Sequence, residues 1–156
     1  MEIILNKVSC SSVNEERKLN NVSCTFKSSN ITFVSGISGR LLRDLLIGKK
    51  IKVNGSLEIK PAGTIKDIGY LSNNPLKEFK TKTVYDEMNY LVKFYELDYE
   101  DCNRKMYDAL KLVGLNDGYL RRNFGTLSTT EIKRVQLALV LFYNPLVYIF
   151  DYYEKG

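Results

Sequence analysis

Short continuous apolar runs alternate along this chain with segments of helical period, and that alternation restricts the fold more than any other feature. Residues 30–35 (NITFVS), 67–71 (DIGYL) and 146–150 (LVYIF) carry apolar side chains on successive positions, as strands covered on both faces do. Between them, residues 40–47 place Leu41, Leu42, Leu45 and Leu46 at helical spacing, with Gly48 at the stop. Thr83 with Asp86 and Glu87 opens a second helix in capping-box fashion, running to about Tyr95. A third spans 99–113 on the face Met106, Ala109, Leu110 and Val113, ended by Gly114. A fourth starts at Ser128, with Glu131 three residues on, and runs through Ile132, Val135 and Ala138 to Phe142. Strands alternating with helices predict an α/β fold around a parallel sheet. The first residues differ. Segments 1–10 and 21–26 predict an antiparallel hairpin, and 51–66 reads as short strands and loops around Gly55, Pro61 and Gly63.

Composition removes several functions. The 156 residues suit one domain, and 44% hydrophobic with 26% charged residues excludes intrinsic disorder. There is no histidine, so no imidazole base, ligand or sensor acts from this chain. Cys10, Cys24 and Cys102 have no metal-ligand spacing and read as reduced thiols of a cytosolic protein. No signal peptide and no apolar run near the ~18 residues of a membrane span is expected. The net charge of +5 favours an acidic ligand or membrane surface. Lys49, Lys50, Lys52 and Lys60 lack an aromatic platform or a reading helix, so nucleic acid is not expected as a partner.

The chemistry is expected at the turn 36–39 (GISG), between the run 30–35 and the following helix. Such a turn gathers backbone N–H groups at the positive end of a helix dipole and cradles an anion, usually a phosphate. Asp151, at the end of the last apolar run, stands where Mg2+ on those phosphates would be held. Together they point to a nucleoside-triphosphate site. The bland alternative is a tight turn plus a strand-end aspartate.

Seven segments in order, KVSCS at 7–11, VSGISG at 34–39, IGYLSNNP at 68–75, TVYDE at 83–87, LKLVGL at 110–115, LSTTE at 127–131 with RVQLA at 134–138, and NPLVYIFD at 144–151, resemble the nucleotide-binding subunits of ABC transporters. The resemblance covers nearly the whole chain, and the region from Thr83 to Asp151 looks most like importer and energy-coupling-factor ATPases. It implies a P-loop NTPase core with N-terminal antiparallel strands and an inserted helical subdomain, lacking the C-terminal part. On that reading 1–75 holds the strands and phosphate turn, 76–132 the helical subdomain, and 133–156 the signature helix and the strand ending in Asp151. It also implies ATP and Mg2+ as cofactors, a second ABC ATPase subunit and a membrane-spanning transporter subunit as partners, and a cytoplasmic position at the inner face of the cell membrane. The aromatic helix carrying Tyr85, Met88, Tyr90, Leu91, Phe94 and Tyr95 falls in the region that docks on the transporter, although ordinary core packing explains it as well.

The departures from the family pattern bear on activity. By resemblance, Gly36, Ser38, Gly39, Arg40, Asn73 and Ser128 are the nucleotide-binding positions and Asp151 the metal ligand. The turn 36–39 is about three residues short, without the lysine and hydroxyl that reach the phosphates and Mg2+. Arg40 offers a planar fork in place of a compact ammonium. Ser12 replaces the aromatic that stacks on adenine, Asn73 is one methylene shorter than the family glutamine, and Thr129 and Thr130 replace signature glycines. Tyr152 stands where the catalytic glutamate belongs, and a phenol is a poor base at neutral pH. The expectation is an ATP-binding subunit that holds ATP and Mg2+ weakly or not at all and hydrolyses little alone. The alternative is a non-catalytic partner of an intact ABC ATPase or of a membrane subunit. A family member continues well past position 156, so an uncovered sheet edge is expected.

Overall fold

The computed structural model describes residues 1–12, 16–61, 63, 65–98 and 100–151. The chain divides into two compact units, Met1–Ile68 and Gly69–Gly156.

In the first unit, β1 (Glu2–Ser11) is the centre of a three-stranded antiparallel sheet, flanked by β2 (Lys18–Lys27) and β3 (Val53–Lys60). The predicted hairpin is therefore present, and the turn-rich segment adds its other edge. Along β1 the buried side chains are Ile3 and Leu5, then Val8 and Cys10. This change from odd to even positions follows from a bulge: the register shifts between Leu5 and Val8 against β2 and between Asn6 and Ser9 against β3. One extra residue turns the strand's apolar set back onto the same face. Gly55 makes room for it. With φ at +92°, it lies where a Cβ would come 2.5 Å from the Lys7 carbonyl oxygen.

Helix α1 (Gly39–Leu46) forms at the predicted place, with Leu41, Leu42 and Leu46 buried. Lys49 beyond its end pairs with Asp44 at 3.0 Å, and Arg43 holds the same carboxylate at 2.6 Å. The expected strand at 30–35 is not formed. Ile31 is 87% exposed and Phe33 92%, and among the described residues no ladder bond reaches the run. Strand propensity expresses packing against a paired neighbour, and this run has β composition without a paired strand.

The second unit is helical, with a two-stranded sheet of β4 (Ile68–Leu71) and β5 (Val147–Phe150). The described strands thus form a small antiparallel sheet and a separate pair, where the alternation of runs suggested one continuous parallel sheet. Phe150 is 67% exposed on β5, as expected for a strand with one neighbour. Helices α2 (Val84–Tyr95), α3 (Cys102–Leu112) and α4 (Thr129–Tyr143) surround Met88, Val92, Met106, Leu110, Val135 and Ala138. Helix α3 begins at Cys102, and Tyr99, its expected start, lies outside the described residues.

The caps follow the sequence closely. Thr83 accepts the Asp86 N–H at 3.2 Å. Ser128 and Glu131 form the reciprocal capping box that starts α4. Glu87, however, does not cap. It is 4% exposed and accepts from the Lys80 N–H at 2.9 Å and from the Thr81 N–H and hydroxyl at 2.8 Å each. Helix α4 ends at Asn144, with φ +50°. Pro145 then turns back over Gly69, whose missing Cβ would lie 2.5 Å from Pro145 Cγ.

Candidate functional site

Gly36, Ser38, Gly39 and Arg40 occupy a single turn and the first residues of α1. Gly36 has φ +110°, which only glycine adopts at no steric cost. The Gly39 N–H is donated to Gly36 O at 3.0 Å. The Ser38 hydroxyl donates to Lys18 O at 2.7 Å, anchoring the turn to β2. One amide and the one hydroxyl of the turn are thus already used internally. Ile37, between Gly36 and Ser38, is 76% exposed. The geometry is a closed turn at a helix start, with Arg40 half-buried in the first turn.

Ser12, at the adenine-stacking position, closes the β1–β2 connection instead: its N–H is donated to Arg17 O at 2.9 Å, and its Oγ accepts the Arg17 N–H at 3.2 Å.

In the second unit, β4 and β5 bring two predicted positions together. The Asp151 N–H is donated to Leu71 O at 2.9 Å, so the carboxylate sits at the end of β4 from which the loop to Asn73 departs. The Tyr70 hydroxyl donates to Asp151 Oδ2 at 3.1 Å, orienting that carboxylate. Asn73 is exposed, between a buried Ser72 and an exposed Asn74. Ser72 Oγ accepts the Asn74 N–H at 3.1 Å, folding the loop tightly. One carboxylate and one carboxamide oxygen are hard donors, and Mg2+ typically takes one or two carboxylates, with water and phosphate oxygens completing its shell. By donor chemistry alone, the two residues suit such an ion. Tyr152 lies outside the described residues.

Ser128 is elsewhere on the unit, at the N-terminus of α4. It stands eight positions before Gln136, which reaches Ser72, so roughly 12 Å of helix separates it from that loop. Its N–H is donated to Glu131 Oε2 at 2.7 Å, and its Oγ accepts the Glu131 N–H at 3.3 Å. The Tyr119 hydroxyl donates to the other carboxylate oxygen of Glu131 at 2.5 Å. That bond, with those from the Ser128 backbone N–H and side chain, lowers the Glu131 carboxyl to about 2. The same bond to Glu131 raises the Tyr119 phenol. The dipole end of α4 is therefore filled by its own carboxylate.

Neither Tyr119 nor Gln136 stands at a position to which the sequence motifs assign a role. Tyr119 lies twelve residues from Glu131, with no motif linking them. Gln136 does carry a signal, as the polar member of an apolar helix face. Cys10 and Cys102 are buried and Cys24 half-buried; desolvation pushes all three thiols upward, and each is free.

A family profile described as ABC transporter matches residues 19–152. The chain belongs to the ABC transporter family. It is 35% identical over 132 residues to an ABC transporter ATP-binding protein of Clostridium tetani, an alignment covering 83% of this chain and 28% of that one. Among solved structures it is similar to cbiO1 of Clostridium perfringens, part of the ABC transporter complex cbiONQ, with TM-score 0.70 at 18% identity, over 95% of this chain and 64% of that one. It is also similar to an ATP-binding subunit of an ABC transporter, with TM-score 0.78 at 13% identity, over 96% of this chain and 65% of that one. The fold is that of the ABC ATPase P-loop domain, of which this chain spans about two thirds in those solved structures.

Proposed function

We propose that this chain is an ATP-binding subunit of an ABC transporter whose own phosphate turn is degenerate, so that it binds ATP and Mg2+ weakly and hydrolyses little by itself. The observation that carries the reading is the closed turn at 36–39. The Gly39 amide is turned onto Gly36 O and the Ser38 hydroxyl onto Lys18 O, where an open ring of donors would be needed to hold a triphosphate. On this reading the positions assigned to the nucleotide are Gly36, Ser38, Gly39, Arg40, Asn73 and Ser128, and the one assigned to the metal is Asp151. When bound, Mg2+ would neutralise charge on the phosphates, and Asp151, oriented by Tyr70, would hold it. The division into strands and phosphate turn (1–75), helical subdomain (76–132) and signature helix with last strand (133–156) belongs to the same reading. So does a place at the cytoplasmic face of the cell membrane.

A second reading is supported by the place of Ser128, which starts α4 where the family's signature stands, although its N–H and Oγ are engaged by Glu131. On it the chain acts as a non-catalytic partner of an intact ABC ATPase subunit or of a membrane-spanning subunit. Size-exclusion chromatography of this chain with an intact ABC ATPase subunit tests it. An ATP-dependent heterodimer is expected; no association at micromolar concentration, with or without ATP, removes the partner reading.

A further inference from the structure

We propose that Gln136 is a positioning residue: a carboxamide clasp, reaching from the middle of α4 onto the backbone of Ser72, that fixes the loop carrying Asn73. In the amide orientation that satisfies both groups, Gln136 Nε2 donates to Ser72 O at 3.1 Å and Oε1 accepts the Ser72 N–H at 2.7 Å. Gln136 is 5% exposed and Ser72 9%. The other inward residues of this stretch of α4, Ile132, Val135, Ala138 and Leu139, are apolar. Packing alone asks for no amide there, and a buried carboxamide costs free energy unless both its donor and its acceptor are paired. The backbone of Ser72 supplies one of each, in the plane a primary amide needs.

The clasp is one of three restraints that converge on Asn73. Leu71 O holds the Asp151 N–H at 2.9 Å, Ser72 Oγ holds the Asn74 N–H at 3.1 Å, and Gln136 holds Ser72 from the helix side. The neighbours of Asn73 are pinned while its own side chain is exposed. Helix α4, capped by Ser128, thereby sets where the Asn73 carboxamide stands relative to Asp151. What Asn73 then touches rests on the nucleotide reading above; the clasp itself does not.

Amide exchange followed by NMR tests the clasp, with no nucleotide present. Gln136→Met keeps the length of the side chain and removes the amide. It is expected to lower protection of the Ser72 N–H by about tenfold or more, while Val135 and Leu139 N–H keep theirs. Gln136→Glu gives a pH signature that a filler of space would not give. Ionised, its carboxylate faces Ser72 O without a proton to donate; protonated, it restores both bonds. Protection of Ser72 in this variant is therefore expected to rise as pH falls from about 7 to about 4, the change centred above the ordinary glutamate value because the site is buried. Unchanged Ser72 protection in Gln136→Met, or a flat pH profile in Gln136→Glu, overturns the clasp. Manganese-ATP, a paramagnetic probe sensitive to weak binding, supplies the functional arm. It is expected to broaden Asn73 and Asp151 resonances in the wild type, and Asn73 less in Gln136→Met. Equal broadening at Asn73 in both proteins overturns the positioning role. No broadening in the wild type removes the nucleotide reading, and exchange then decides the clasp alone.

Discussion

The Tyr119 hydroxyl and the Glu131 carboxylate meet at 2.5 Å, and this bond closes the N-terminus of α4 from the side that the capping box leaves open. Glu131 Oε2 takes the Ser128 N–H while Oε1 takes the phenol. A helix start that would otherwise attract an external anion is complemented from within.

The pH dependence of that arrangement follows from the lowered Glu131 carboxyl, about 2 against an ordinary 4.5. A depressed folded-state value means the ionised carboxylate favours folding. Its contribution is complete above about pH 4.5 and is lost as pH falls through about 2. Wild type and Glu131→Gln, melted across this range and followed by circular dichroism, should differ most near neutrality and converge in acid. A constant difference at every pH would contradict the assignment.

At the other end of the titration, Tyr119 is raised by the same bond. Its neutral form supports folding below about pH 10, and that support is lost as pH rises through the raised value. Ultraviolet titration should find one phenol fewer ionising near the ordinary value than in Glu131→Gln. Identical curves would show the bond absent in solution.

Two glycines are held by close approach. Gly55→Ala would put a Cβ 2.5 Å from Lys7 O, at φ +92°, and Gly69→Ala one 2.5 Å from Pro145 Cγ and 2.7 Å from Val140 Cγ1. Overpacking of this kind costs about 1–3 kcal/mol. Gly55→Ala should stand at the upper end, since backbone yields less than a side chain. Gly36→Ala meets nothing within 4 Å and carries the strain of its φ alone, so denaturant midpoints should rank it mildest of the three.

Removing the Glu87 carboxylate strands the donors of Lys80 and Thr81. Glu87→Ala should cost about 3 kcal/mol, as buried groups that lose a charged acceptor do, measured by urea denaturation. A loss under about 0.5 kcal/mol, typical of an uninvolved surface site, would mean the loop does not depend on it.

Phe33 separates the expected strand from the observed exposed run. Phe33→Ser should change stability by less than about 0.5 kcal/mol, whereas a phenylalanine buried in a sheet would cost about 3–5 kcal/mol on truncation.

Local signals were legible because their causes are local. Ser128 with Glu131, Thr83 with Asp86, and the leucines of α1 sit within a turn or two of their partners, and each forms as read. The run 30–35 forms no strand: its composition reports strand propensity and nothing about a neighbour to pair with. Glu87 follows Thr83 at nearly the capping spacing, but burial takes it to the 80–81 loop instead. The family was readable from the order of its motifs. The contacts that shape the candidate site, Tyr119 with Glu131, Gln136 with Ser72 and Tyr70 with Asp151, join residues 12, 64 and 81 positions apart. No periodicity or spacing rule reaches that far.

The central claim is that the short turn at 36–39 has lost its hold on a triphosphate, and titration calorimetry with Mg-ATP, paired with a turnover assay on the same protein, tests it most directly. The account predicts a dissociation constant of about 1 mM or weaker, near −4 kcal/mol or less in strength, and turnover below about 0.1 per second against a median near 10 for enzymes. A micromolar constant with turnover above that level would contradict it.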